Sequence, residues 1–161
     1  MEIREKIVEK AAEKAVSYIN IKPRTGQQVK KYLKDKGYEE DIISEVVEQL
    51  KEYRYIDDME FALLYFRYGF EKGRGVSRIR RELSEKGVSS EIIDIAYEEL
   101  EEIPDQLEMA MEIGRNVITG IDLENMDFDA KRKLQAKLGR RLMSRGFSSD
   151  VVYKVIGKLI D

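Results

Sequence analysis

This 161-residue chain carries 29 cationic side chains, and their clustering is what points to a chemistry. Six of them, Arg67, Lys72, Arg74, Arg78, Arg80 and Arg81, crowd one stretch; Lys30 and Lys31 belong to a second basic run, and Arg140 and Arg141 to a third. Guanidinium and ammonium groups form charge-assisted hydrogen bonds with phosphate and carboxylate oxygens, so their chemistry is binding rather than bond making. Beside the densest run lie Phe61, Tyr65, Phe66, Tyr68 and Phe70. Aromatic rings among cations can stack nucleobases, but Phe61, Tyr65 and Tyr68 share one helical face, which predicts that most of this cluster is core, with one tyrosine exposed. Gly73-Arg74-Gly75 could offer backbone amides to a phosphate, helped by Arg74 and Arg78. An ordinary interhelical turn explains the same residues, and no P-loop pattern follows them.

Other chemistries are excluded by composition. The chain has no cysteine and no histidine, which removes thiolate zinc sites, cysteine nucleophiles, Ser–His catalysis and imidazole-bound metals. Asp57 and Asp58 form a carboxylate pair that helix capping explains. The acidic segment holding Asp122, Glu124, Asp127 and Asp129 lacks the glycine and terminal glutamate of a calcium loop. No nucleophile–base set is visible, so the expectation is a non-enzyme with no metal and no cofactor. The longest apolar run, Phe61 to Phe66, is too short to span a bilayer, and Met1 to Lys14 has no signal-type apolar core. A cytoplasmic protein with no membrane partner is expected.

Helices must carry these residues. Three stretches align without a gap: Val29–Leu50, Ile79–Leu100 and Leu138–Leu159. Leu33, Leu83 and Leu142 coincide, as do Gly37, Gly87 and Gly146, each glycine followed by an apolar residue. Self-similarity of this kind marks a repeat architecture. Each unit reads as helix, glycine turn, helix, with the glycine at the C′ position where positive φ costs it least. Ser89 and Ser148 suit N-caps, Glu39 less so. Apolar residues then recur at helical spacing: Ile42, Ile43, Val46, Val47 and Leu50; Ile92, Ile93, Ala96, Tyr97 and Leu100; Val151, Val152, Val155, Ile156 and Leu159. All are expected to be buried. A further helix precedes each pair. Thr25 with Gln28, and Asp57 with Glu60, have capping-box spacing, and Pro104 suits the first turn of a helix reaching about Val117. The fold class expected is all-α: three tandem three-helix repeats over residues 1–52, 53–103 and 104–161, forming an elongated, curved array.

Charge alternates with the repeat. Lys22–Lys36 carries net +5 and Glu39–Glu52 net −5; Arg67–Lys86 carries +4 and Glu91–Asp105 −7; Lys131–Arg145 carries +7. Basic middle helices stacked in order would make a phosphate-attracting stripe despite the overall charge of −3. The plainer alternative is that basic helices neutralise acidic neighbours. A helix-turn-helix DNA reader is disfavoured, because the helix that would enter the groove carries Glu91, Asp94, Glu98 and Glu99.

Tyr55-Ile56-Asp57-Asp58, Phe61-Ala62, Lys72-Gly73-Arg74-Gly75, Ile79, Glu82-Leu83 and Lys86-Gly87-Val88 together resemble the signature of the RecX family, bacterial regulators of the RecA recombinase. Pro23-Arg24-Thr25, Leu33 and Lys36-Gly37-Tyr38 extend the likeness into the first repeat. The resemblance implies a monomer without catalysis that binds the RecA–DNA filament in its groove and modulates, usually by inhibition, recombinase ATPase, strand exchange and coprotease activity. Single-stranded DNA would be contacted within the filament and only weakly alone. The basic residues named above are the expected contacts. A general helical interaction module that binds no nucleic acid is the competing expectation.

Overall fold

The computed structural model describes residues 2–161 and holds nine α-helices and no strand among them. They are α1 (Glu2–Ile21), α2 (Gly26–Asp35), α3 (Glu40–Glu52), α4 (Asp58–Glu71), α5 (Val76–Glu85), α6 (Ser90–Glu99), α7 (Gln106–Ile118), α8 (Phe128–Ser144) and α9 (Ser149–Leu159).

The three glycine turns are built identically. Gly37, Gly87 and Gly146 have φ of 92°, 92° and 97°. After each, the next amide bonds back to the carbonyl five residues earlier: Tyr38 to Leu33 at 3.2 Å, Val88 to Leu83 at 3.1 Å, Phe147 to Leu142 at 3.2 Å. The glycine amides bond to Lys34, Ser84 and Met143. This is the Schellman arrangement, and it seals the helix with an apolar contact between the paired residues. Gly73, at φ 76°, ends α4 in the same way, with Arg74 bonding to Gly69. A further left-handed turn ends α3, where Arg54 takes φ 61° without being glycine.

Capping follows the expected chemistry. Thr25 and Gln28 close a reciprocal capping box on α2. Asp57, Ser89 and Ser148 accept from the amides of Glu60, Ile92 and Val151. Glu39 makes no side-chain cap. Pro104 does not sit in the first turn of its helix. Asp105 is the N-cap, accepting from the amide of Glu108, so the proline lies just outside α7. An ionised carboxylate is a better acceptor for the free amides of a helix start than anything proline offers.

The chain divides into two compact units, one made of residues up to Leu64 with Glu82–Glu99, the other of Tyr65–Arg81 with Leu100–Asp161. In the first, α1, α2 and α3 pack together around Val8, Ala11, Ala15, Val29, Leu33, Val46 and Val47. Arg4 ties α1 to α3 through ion pairs with Glu45 and, at 3.4 Å, Asp41. Hydrogen bonding to Glu45 and the charge of that carboxylate, followed by Asp41, raise the pKa of this guanidinium further. In the second unit α7 and α8 pack on α9 around Ala110, Leu134, Leu138, Leu142, Phe147 and Val155.

Burial departs from expectation in two places. All five apolar positions of α3 are buried, but Ile92, Tyr97, Leu100, Val151, Ile156 and Leu159 are only half-buried. On α4 the inner face is not Phe61–Tyr65–Tyr68. Ala62, Phe66 and Gly69 are buried, Phe61 and Tyr65 are half-buried, and Tyr68 is 45% exposed. The cause is close approach: a Cβ on Gly69 would lie 2.5 Å from Ile79 Cγ1, so the small residues face inward to admit Ile79.

One contact recurs in both units. In the first, the start of α2 meets the α5–α6 turn: Thr25 Oγ1 donates to the Lys86 carbonyl at 2.6 Å, and a Cβ on Gly87 would lie 2.3 Å from Gln27 Cβ. In the second, the start of α5 meets the α8–α9 turn: the Gly75 amide donates to the Arg145 carbonyl at 2.7 Å, the Ser77 amide to that of Gly146 at 3.2 Å. A Cβ on Gly146 would lie 2.6 Å from the Arg78 nitrogen. Thr25 and Gly75 are equivalent positions in the aligned repeats, as are Lys86 and Arg145.

Candidate nucleic-acid interface

The ten expected contact residues fall in four places. Lys30 and Lys31 are exposed on α2 in the first unit. Arg67 is exposed on α4, Lys72 and Arg74 follow its end, and Arg78, Arg80 and Arg81 lie on α5; Arg140 and Arg141 are exposed on α8. These eight belong to the second unit.

On α2, Lys30 and Lys31 join Lys34 along a cleft of about 360 Å³, with Gln27, Ser44 and Glu40 also lining it. Among the described residues no carboxylate lies within ion-pair distance of these three lysines. Three ammonium groups against the single carboxylate of Glu40 leave this cleft attractive to an incoming phosphate. Lys34 was not among the residues singled out from the sequence. Its signal was present, since positions 30, 31 and 34 share one helical face.

Arg67 is placed differently. It shares a cleft of about 340 Å³ with Glu71, Glu101 and Glu102, the neutralising arrangement rather than the phosphate-facing one. Arg78 and Arg80 are half-buried. The Arg78 backbone and Cβ form the contact with Gly146, so this residue has a packing role whatever its guanidinium does. Arg81 is exposed.

Gly73-Arg74-Gly75 is a turn and not an anion cradle. Its three amides donate to Phe70, Gly69 and Arg145. The next two donors, at the start of α5, are also engaged: Val76 donates to Gln106 Oε1 at 3.0 Å and Ser77 to Gly146. What the turn does is position Arg74. The left-handed Gly73 reverses the chain, and Arg74 returns over α4, with Nη1 donating to Tyr65 Oη at 3.4 Å and Cζ lying 5.3 Å from the Tyr68 ring centre. Lys72 Nζ lies 5.7 Å from the same centre. Tyr65 and Tyr68 are tilted by 48° with centroids 5.8 Å apart. Cations near an aromatic face are attracted by its quadrupole, so two of the expected bases meet on one exposed tyrosine.

Comparison with known proteins gives this arrangement a context. Residues 11–50, 57–96 and 126–156 match the models of the first, second and third three-helix domains of RecX. The chain is 36% identical over 148 residues to a regulatory protein RecX of Bacillus cytotoxicus, covering 90% of this chain and 52% of that protein. It is 31% identical over 154 residues to the RecX of Clostridium botulinum, covering 94% and 69%. The chain thus spans about half the length of the Bacillus relatives it matches. The crystal structure of RecX from Lactobacillus salivarius superimposes with a TM-score of 0.79 at 25% identity, over 94% of this chain and 96% of the other.

Proposed function

Because the chain belongs to the RecX family of regulatory proteins, we propose that it binds the filament formed by the RecA recombinase on DNA and slows its ATP turnover, strand exchange and coprotease activity. The reading gives the protein no catalytic step, a cytoplasmic location and a monomeric state. Among the described residues no group of His, Cys, Asp and Glu could hold a metal, and no helix is long and apolar enough to cross a membrane. The observation that carries the proposal is the pairing of an exposed lysine and a half-buried arginine with an exposed ring at the end of α4, where Lys72 and Arg74 meet Tyr68. Exposed ammonium groups attract phosphate or acidic protein surfaces, and the ring adds a surface that can be desolvated on contact.

ATP hydrolysis by RecA on single-stranded DNA, with this protein titrated in, tests the proposal. Slowing that grows with the amount of protein added is expected. Lys72→Glu with Arg81→Glu, both at exposed positions, should raise the concentration for half-maximal slowing by roughly tenfold, since like charges brought face to face repel. No effect of the parent at any ratio refutes the RecA assignment. A folded double variant that acts like the parent removes these two cations from the interface.

A further inference from the structure

We infer that Tyr68 is a stacking platform for one unpaired base of a single-stranded nucleic acid, with Lys72 and Arg74 as its cationic flank. Two repeats of the same chain treat this tyrosine differently. Tyr18 and Tyr68 are related by the same offset that relates Gly37 to Gly87, and so are Arg24 and Arg74. In the first repeat this tyrosine is closed on both faces. Tyr32 lies parallel to it, with centroids 4.1 Å apart and planes 3° from parallel, and Arg24 Cζ sits 3.9 Å from its centre. With one face occupied by a parallel ring, a group that near the centroid lies over the other face. Tyr18 is accordingly half-buried.

In the second repeat the arginine is retained but the ring is not: the position equivalent to Tyr32 is Glu82. No ring lies parallel on Tyr68 among the described residues; its aromatic neighbour Tyr65 is tilted. Tyr68 stays 45% exposed, next to Leu64 with the same exposure one turn earlier. The repeat therefore keeps an arginine–tyrosine pair whose planar third member is missing. A nucleobase has the shape to supply it, and stacking on tyrosine tolerates any base. Lys72, exposed and, among the described residues, without a carboxylate at ion-pair distance, fits the phosphate beside such a base. A half-buried aromatic residue of a protein partner is disfavoured as the occupant, because the exposed Lys72 at the rim favours a polyanion.

The inference rests on the DNA-contacting side of the function proposed above, so its test omits RecA. Fluorescence anisotropy would compare a short oligothymidylate with an abasic oligonucleotide of equal length, which keeps the phosphates and lacks the bases. The parent should prefer the thymidylate by about tenfold. Tyr68→Leu should lose that preference while keeping its affinity for the abasic strand, and Tyr68→Phe should keep both. Lys72→Gln should weaken both strands alike. Equal binding of the two strands by the parent, or no binding of either, overturns the inference, as does a folded Tyr68→Leu that still prefers bases. A parent that discriminates bases but leaves RecA turnover unchanged supports the platform and removes RecA; the reverse result removes the platform alone.

Discussion

Gly37, Gly75 and Gly146 allow the two demands placed on glycine in this fold to be measured separately. Gly37 has φ of 92° and open space where a Cβ would go. Alanine there meets only the left-handed backbone, which costs a side chain about 1–2 kcal/mol, and alanine recovers about 0.4–1 kcal/mol by restricting the unfolded chain. A net loss of roughly 1 kcal/mol is expected. Gly75 is the opposite case. Its φ lies outside the left-handed range, but a Cβ would sit 2.4 Å from the Gly146 carbonyl oxygen and 2.9 Å from the Phe147 nitrogen. These are backbone atoms that cannot rotate aside, so overpacking of about 1–3 kcal/mol is expected, with a further ~1 kcal/mol as the Gly75–Arg145 hydrogen bond is forced apart. Gly146 combines both demands, with φ of 97° and a Cβ position 2.6 Å from the Arg78 nitrogen. Its alanine variant should lose about 2–4 kcal/mol. Urea midpoints at constant m-value give the three numbers. Equal losses at Gly37 and Gly146 would mean that the α8–α9 turn is not seated on α5, and the recurring contact would have to be abandoned.

Gly87→Val should lose more than 2 kcal/mol or so, because a β-branched residue resists positive φ and meets Gln27 as well; an unmoved urea midpoint refutes it. Arg54→Gly should gain about 0.5–1 kcal/mol in thermal unfolding, since Arg54 holds a left-handed φ that glycine adopts freely. Thr25→Val should lose about 2 kcal/mol, as it removes both a cap of α2 and the donor to the Lys86 carbonyl from a fully buried position; a loss under half that would show that the hydroxyl is dispensable. Replacing Lys30, Lys31 and Lys34 with glutamine should lower the log–log salt slope of single-strand binding by roughly 0.7 for each phosphate they neutralise, and an unchanged slope excludes the α2 cleft from the contact.

What could be read from the chain beforehand was what depends on local backbone chemistry. Gly37, Gly87 and Gly146 mark left-handed turns because few other residues tolerate that conformation, and Thr25, Ser89 and Ser148 mark helix starts because their oxygens reach free amides. The left-handed turn at Arg54 gave no such signal, having no glycine. The inner face of α4 differs from the one ring size suggests, because close packing of Ile79 on Gly69 selects the small face instead. That left Tyr68 outside. The basic runs were plain in composition, but which cations face carboxylates and which face solvent depends on packing between distant segments. Arg67 beside Glu71, Glu101 and Glu102, and the three lysines whose cleft has only Glu40 as an acid, could not be told apart from charge counts. The pairing of Tyr68 with Arg74 was within reach, since aligning the repeats back to Tyr18 and Arg24 exposes it.

The contact between a helix start and the following glycine turn also has a direction. The residue of α8 equivalent to Thr25 and Gly75 is Leu134, which lies buried in mid-helix because α8 begins at Phe128. No free helix start exists there to seat on another turn. The Gly37 turn, by contrast, has the same left-handed geometry as its two counterparts, and among the described residues no atom lies within 4 Å of where a Cβ on Gly37 would be. Duplication of this module is therefore polar: a fourth unit can be joined ahead of the first by the existing joint, whereas one joined after the third would need a joint of a different kind.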